Sequence, residues 1–208
     1  MRPIPTEENW RTWAGMGFAD QFELAPRQLD EYWLAHMGVS RSEVIRRMRE
    51  ATRLAPTAAI LEVGCNAGNQ LLLLKFLGFF NLSGIDICPL AVDRARARGL
   101  DALAASARDL PFGQNAFDLV FTSGVLSHLG PDHVDEAVRE AVRVSARWFW
   151  GCEYYRVPDQ YRNCPSASHG YLWAGDYPAR FAAAGMKVRS RERLPGGECL
   201  ESFLCEKE

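Results

Sequence analysis

The sequence predicts an α/β fold: a mostly parallel sheet with helices on both faces, closed by an antiparallel β-hairpin. Three observations predict it. Short apolar runs alternate with stretches of helical period between residues 58 and 152, the rhythm of repeated β-α units. A glycine loop, Gly64-Cys65-Asn66-Ala67-Gly68, stands where the first apolar run gives way to a helical one, as at a strand-to-helix turn. Two last apolar runs are joined by Pro195-Gly196-Gly197, and strands linked by so short a turn must be antiparallel.

Each element has its own signal. Ser40 with Glu43 three residues on forms a capping box that announces an amphipathic helix to Leu54. Ala58 to Val63 is a strand, Asn69 to Phe76 a helix and Leu82 to Ile85 a strand. Pro89, suited to a first helical turn, opens a helix to Arg98, and Ala102 to Ala105 makes a weak third strand. Phe117 to Thr122 is a strand, and Pro131 to Val142 a helix with Asp132, Asp135 and Glu136 near its positive end. Ala146 to Cys152 is a fifth strand, Asp176 to Ala184 a helix stopped by Gly185, and Met186 to Leu194 and Cys199 to Cys205 the hairpin.

The chain has 208 residues, 48% of them hydrophobic, enough for one good core. Residues 1–39 read as a separate N-terminal arm or lid holding Trp10, Trp13, Phe18, Phe22, Tyr32 and Trp33, with Gly15 and Gly17 able to bend it; residues 40–208 form the main domain. Lys and Arg (24) balance Asp and Glu (26) to a net charge of −2, so nothing draws the chain to a phosphate backbone and no nucleic-acid partner is expected. Arg41, Arg46, Arg47, Arg49 and Arg53 alternate with Val44, Ile45, Met48 and Leu54 and read as a solvated helix face. Six cysteines without a C-x-x-C pair, most of them in apolar strings, read as buried thiols. The first residues have no apolar signal core and no run approaches a membrane span, so a cytoplasmic protein without a membrane partner is expected.

The chemistry centres on the glycine loop. Gly64 and Gly68 allow a ligand close to the backbone at the switch point of such a sheet, although a loop of this kind also serves as a plain tight turn. Asp86, eighteen residues beyond Gly68 at the end of the second strand, can accept the hydroxyls of a ribose. A dinucleotide fingerprint would place glycines where Asn66 and Asn69 stand, so no pyrophosphate cradle is expected. Glu62 suits a ligand ammonium or is simply a solvated strand-end carboxylate.

These residues, with Ser106-Ala107-Arg108-Asp109-Leu110-Pro111-Phe112 and Phe117-Asp118-Leu119-Val120, resemble the class I, S-adenosylmethionine-dependent methyltransferases over residues 58 to 153. The terminal hairpin belongs to that arrangement rather than to ordinary dinucleotide folds. Trp13-Ala14-Gly15, Phe18 to Phe22, Val125 to Leu129, Glu153-Tyr154-Tyr155 and Leu172 to Tyr177 are similar to methylases associated with pseudaminic acid biosynthesis. The resemblance implies S-adenosylmethionine as cofactor, with Trp13, Glu62, Gly64, Cys65, Asn66, Gly68, Asp86, Ile87, Ser106, Ala107, Arg108, Thr122, Ser123 and Gly124 around it. Ser106 stands where that family has an aspartate beside the adenine. It also implies a small-molecule acceptor, an amino sugar or nonulosonate intermediate, methylated on O or N.

His128, on the loop after the fourth strand, is the candidate base, since an imidazole with an ordinary pKa near 6.5 takes a proton at neutral pH; a merely hydrogen-bonding His is the alternative. Glu153 and His169 are reserves, and Tyr154 and Tyr155 offer faces to a sulfonium or pack plainly. The four histidines share no ligand spacing, so no metal is expected. The competing functions are an NAD-dependent oxidoreductase and a silent binding domain with the arm as its interface. Oligomeric state is open.

Overall fold

The computed structural model describes residue 8, residues 23–155, the backbone of 160–161, and residues 173–196 and 200–208. Helix α1 spans Pro26–Met37 and α2 spans Arg41–Thr52. There follow β1 (Ile60–Val63), α3 (Asn69–Phe76), β2 (Leu82–Asp86), α4 (Pro89–Ala97), β3 (Asp101–Ala104) and β4 (Phe117–Ser123). A 3₁₀ turn at Leu126–His128 leads to α5 (Pro131–Val144), β5 (Ser145–Tyr154), β6 (Gln160–Tyr161) and β7 (Trp173–Ala174). The chain closes with α6 (Tyr177–Ala183), β8 (Met186–Arg193) and β9 (Leu200–Lys207).

One sheet of seven strands runs β3-β2-β1-β4-β5-β9-β8, and β6-β7 form a two-stranded ribbon. The first five strands pair in parallel, whereas β9 is antiparallel to both β5 and β8. This is the class I methyltransferase arrangement. Val63 lies opposite Ile85 and Thr122, and Ser123 opposite Cys152. The carboxyl ends of β1, β2, β4 and β5 therefore line up, and the strand order reverses between β1 and β4, where such sheets bind ligands.

Alternation along the strands sends side chains to two cores. On one face Ile60, Phe121, Trp148, Trp150 and Cys152 meet α1, α2, α3 and α4; on the other Leu61, Val63, Val120 and Phe149 meet α5 and α6. The Phe149 and Phe181 rings stack there at 3.8 Å.

Several expectations are refined. Residues 26–37 lie within the expected arm, yet they form a helix whose Leu29, Trp33 and Met37, one turn apart, are buried in the first core. At Gly196 a Cβ would sit 2.3 Å from the His36 carbonyl oxygen, so only glycine lets the terminal hairpin close on α1. The Ser40 hydroxyl caps α2 by accepting from the Glu43 N–H at 3.2 Å, but the Glu43 side chain turns to Arg46 and Arg47 instead of completing a capping box. Arg41 is a correction: it is fully buried rather than part of a solvated face. Strand β5 continues past Cys152 because β9 pairs with Glu153 and Tyr154. Cys65, Cys88, Cys152 and Cys205 are buried free thiols; Cys164 and Cys199 lie outside the described residues. Among the described residues no helix is long and apolar enough to cross a membrane.

Candidate active site

The glycine loop is built by backbone geometry. Gly64 and Gly68 both have φ of +78°, a conformation that costs other residues energy. A Cβ would meet a Val125 methyl at 2.3 Å from Gly64 and a Leu100 methyl at 2.1 Å from Gly68. The Cβ direction at each glycine is thus filled by a protein side chain, so no other residue fits there. The N–H groups of Gly64 and Cys65 both donate to the Ile85 carbonyl, at 2.7 and 2.8 Å, lashing the loop to the end of β2.

Asp86 holds the next turn. Its two carboxylate oxygens accept the N–H groups of Asn66 at 2.8 Å and Cys88 at 2.9 Å. Burial pushes its pKa up, and the N–H groups of Cys88, Asn66 and Ile87 pull it back. A carboxylate has about four acceptor positions, so these N–H groups leave one for a ribose hydroxyl. The loop is also tied to the chain before α1. Arg98 donates to the carbonyls of Ala67 and Leu24 and to the Asn69 side-chain oxygen, while Leu24 N–H donates to that same oxygen at 3.0 Å.

Beneath the loop lies a buried polar group of residues. Glu62 is 1% exposed; its Oε1 accepts from Gln70 Nε2 at 2.9 Å, while Glu62 Oε2 and Gln70 Oε1 have no partner. Burial pushes Glu62 well above the carboxylate range, opposed first by the Arg41 charge. Glu62 is therefore buried, not the solvated carboxylate of the alternative reading. Glu153, also 1% exposed, accepts the N–H groups of Val125 at 3.1 Å and Ser127 at 3.4 Å. It thereby clamps the 3₁₀ turn bearing His128 to the end of β5. Burial raises its pKa to about 7 against the N–H groups of Val125, Leu126 and Ser127 and the Thr122 hydroxyl.

The other expected residues are less concentrated. Thr122 is buried at the end of β4, followed by Ser123 and Gly124, whose N–H donates to the Cys152 carbonyl at 2.9 Å. Cys65 is buried and Ile87 half-buried beside Asp86. Ser106 Oγ accepts the Arg108 N–H at 3.2 Å, Ala107 packs on the second core, and the Arg108 guanidinium turns to Glu136 of α5. Tyr154 packs on the first core. The Tyr155 ring faces Arg193 at 4.6 Å and Arg191 at 5.2 Å. Trp13 and His169 lie outside the described residues. Among the described residues no group of His, Cys, Asp or Glu could hold a metal.

Sequence reasoning missed Arg41, Gln70 and Arg98. Arg41 carried a signal: with Val44, Ile45, Met48 and Thr52 it occupies the inward stripe of α2, all five buried. Arg98 and Gln70 carried none, since their roles rest on contacts across the chain.

A family model described as a methyltransferase domain matches residues 61–147, from β1 into β5. The probable tRNA methyltransferase 9B of Homo sapiens is 31% identical over 90 residues, 43% of this chain and 19% of that one. An uncharacterized methyltransferase of Synechocystis is 30% identical over 114 residues, 53% of each chain. This chain thus spans from a fifth to about half the length of these relatives. Among solved structures, magnesium protoporphyrin IX methyltransferase from Synechocystis PCC 6803 with bound S-adenosylmethionine superposes with a TM-score of 0.72 at 11% identity, covering 100% of both chains. Residues 61–147 are thus similar to a methyltransferase domain, and the fold is that of the class I methyltransferases.

Proposed function

We propose that the chain transfers the methyl group of S-adenosylmethionine to an oxygen or nitrogen of a small molecule. One observation carries the reading: Asp86 and the partly unsatisfied Glu62 stand at the carboxyl ends of adjacent strands on either side of the glycine loop. A ribose needs an acceptor, which Asp86 retains, and an ammonium needs a buried acceptor, which Glu62 Oε2 and Gln70 Oε1 provide. The residues present therefore fit the cofactor, whose sulfonium supplies the reactive methyl when bound. The protein supplies alignment, which is worth about 7–11 kcal/mol in favourable cases.

His128 would take the proton of a hydroxyl or ammonium acceptor, on a turn that Glu153 holds in place. Thr122, Ser123 and Gly124, at and just beyond the end of β4, would line the approach, and the Ser106 to Arg108 segment would flank the adenine. A small acceptor agrees with the balanced charge of the chain; the resemblance of its N-terminal and Glu153-Tyr154-Tyr155 segments to pseudaminic acid-associated methylases favours an amino sugar or nonulosonate intermediate. Of the expected arm, residues 1–39, the part before Glu23 is proposed as a lid, because Glu23 and Leu24, which follow it, are bonded to Arg94 and to the glycine-loop region, whereas α1 itself belongs to the core. A chain starting at residue 23 should bind cofactor and turn over poorly; full turnover would make the arm dispensable.

Mass spectrometry of the purified protein for co-purified adenosyl ligand, then transfer of labelled methyl to free and nucleotide-linked amino sugars, tests the reading. Binding of NAD without binding of S-adenosylhomocysteine would overturn it, and labelling of tRNA alone would replace the acceptor.

A further inference from the structure

The N-terminal end of α2 places a cation in the first core that nothing in the described fold satisfies. Arg41 is 0% exposed. Its guanidinium lies between the Trp33 and Trp150 rings, 4.3 Å from each centroid, and none of its three nitrogens finds a hydrogen-bond partner. It forms no ion pair with a described residue. The Cys152 sulfur lies alongside as a weak acceptor that cannot satisfy a guanidinium, and Glu62 and Glu153 are the acidic groups that face it. Glu153 is occupied with the N–H groups of Val125 and Ser127. Stacking satisfies the faces of a guanidinium and leaves its rim of five N–H donors unmade. A desolvated charge without hydrogen bonds is costly, so a purely structural cation here would be expected to touch a carboxylate.

The unmet groups are complementary in kind. Arg41 offers a planar fork of donors, the shape that binds a carboxylate through two parallel bonds. Glu62 Oε2 and Gln70 Oε1 offer unfilled acceptors. By strand alternation Glu62, Trp150 and Cys152 project to the same face of the sheet as α2, Glu62 and Trp150 lying in one row with Phe121 of β4 between them. Resting on the proposed methyl transfer, we propose that Arg41 is a binding residue of the site: its guanidinium receives the cofactor's α-carboxylate while Glu62 and Gln70 receive the ammonium. The site is thereby a receptor for an amino-acid zwitterion as well as for an adenosine. Arg41 lies outside residues 61–147, so the family match does not reach it.

The test is calorimetric titration of the full chain and of Arg41→Gln and Arg41→Lys with three probes: S-adenosylhomocysteine, its descarboxy analogue, and 5′-deoxy-5′-methylthioadenosine, which lacks the amino-acid end. The wild type should lose roughly ten- to hundredfold in affinity when the carboxylate is removed from the ligand, the range for a hydrogen-bonded charge. Arg41→Gln should lose a similar factor for S-adenosylhomocysteine, bind methylthioadenosine as the wild type does, and no longer distinguish the carboxylated ligand from the descarboxy one. Arg41→Lys should recover part of the loss. Equal weakening of all three probes in Arg41→Gln would make Arg41 structural and overturn the proposal. So would a wild type indifferent to the carboxylate, a result that needs no variant to fold. If the wild type binds methylthioadenosine and S-adenosylhomocysteine equally well, only this inference fails; if it binds no adenosyl ligand, the proposed methyl transfer fails with it.

Discussion

The two sides of the sheet's charge pattern obey opposite rules. At the β8–β9 edge, charged groups are satisfied. Arg191 grips Glu201 with two bonds of 3.0 and 3.1 Å, Arg147 and Arg189 share Glu206, and the Lys207 ammonium reaches Asn115 Oδ1 and the carbonyls of Val142 and Ser145, each within 2.9 Å. At the carboxyl ends of β1 and β5, Arg41 and one oxygen of Glu62 are buried without a partner. An unmade buried hydrogen bond costs about 1–3 kcal/mol, more for a charge. A satisfied edge beside an unsatisfied centre is the contrast that the proposed cofactor site requires.

The sharpest break of that comparison is at the clamped turn. His128→Gln should lower turnover by about 10²-fold or more, the usual loss of a positioned base, with cofactor affinity intact; steady-state kinetics showing less than a tenfold fall would assign His128 an orienting role.

Glu153 tests burial itself. Its carboxyl is held up to about 7 by desolvation, so between pH 4.5 and 7 the folded chain keeps a proton that the unfolded chain releases. Stability should therefore fall as pH rises through that window, by roughly 3 kcal/mol at most, and level off above it. Urea unfolding from pH 4.5 to 8 would read this, and Glu153→Gln should make the slope shallower, leaving the share of Glu62 and Asp86, which burial also raises. A wild type whose stability is flat over the window would contradict the burial argument.

Asp86→Ala should weaken cofactor binding by about 1.5–3 kcal/mol, as for a hydrogen bond to a charged group. Calorimetry would show it, and unchanged affinity would remove Asp86 from the ribose. The smallest effect belongs to the edge. Arg147→Ala leaves Glu206 with Arg189, and both the urea midpoint and cofactor affinity should stay where they are, since exposed pairs contribute little. A marked loss of affinity there would dissolve the contrast between edge and centre.

Residue order alone determined the alternation of strands and helices, the glycine loop, Asp86 at the end of β2 and the antiparallel closing pair, because these depend on periodicity and on turn chemistry within a few residues. The helix at Asn69–Phe76 falls where its pattern put it. Tertiary structure decided what lies far apart in sequence: the length of β5, set by its pairing with β9; the filling of the space beside Gly64 by Val125; and the capture of Tyr155 by the arginines of β8. It also decided the fate of Arg41. Charge read along α2 groups that residue with its solvated neighbours, and only the packing of α1 and β5 around it puts a tryptophan on each face and removes it from water. Local patterns report what a residue prefers, whereas burial depends on which distant side chains surround it.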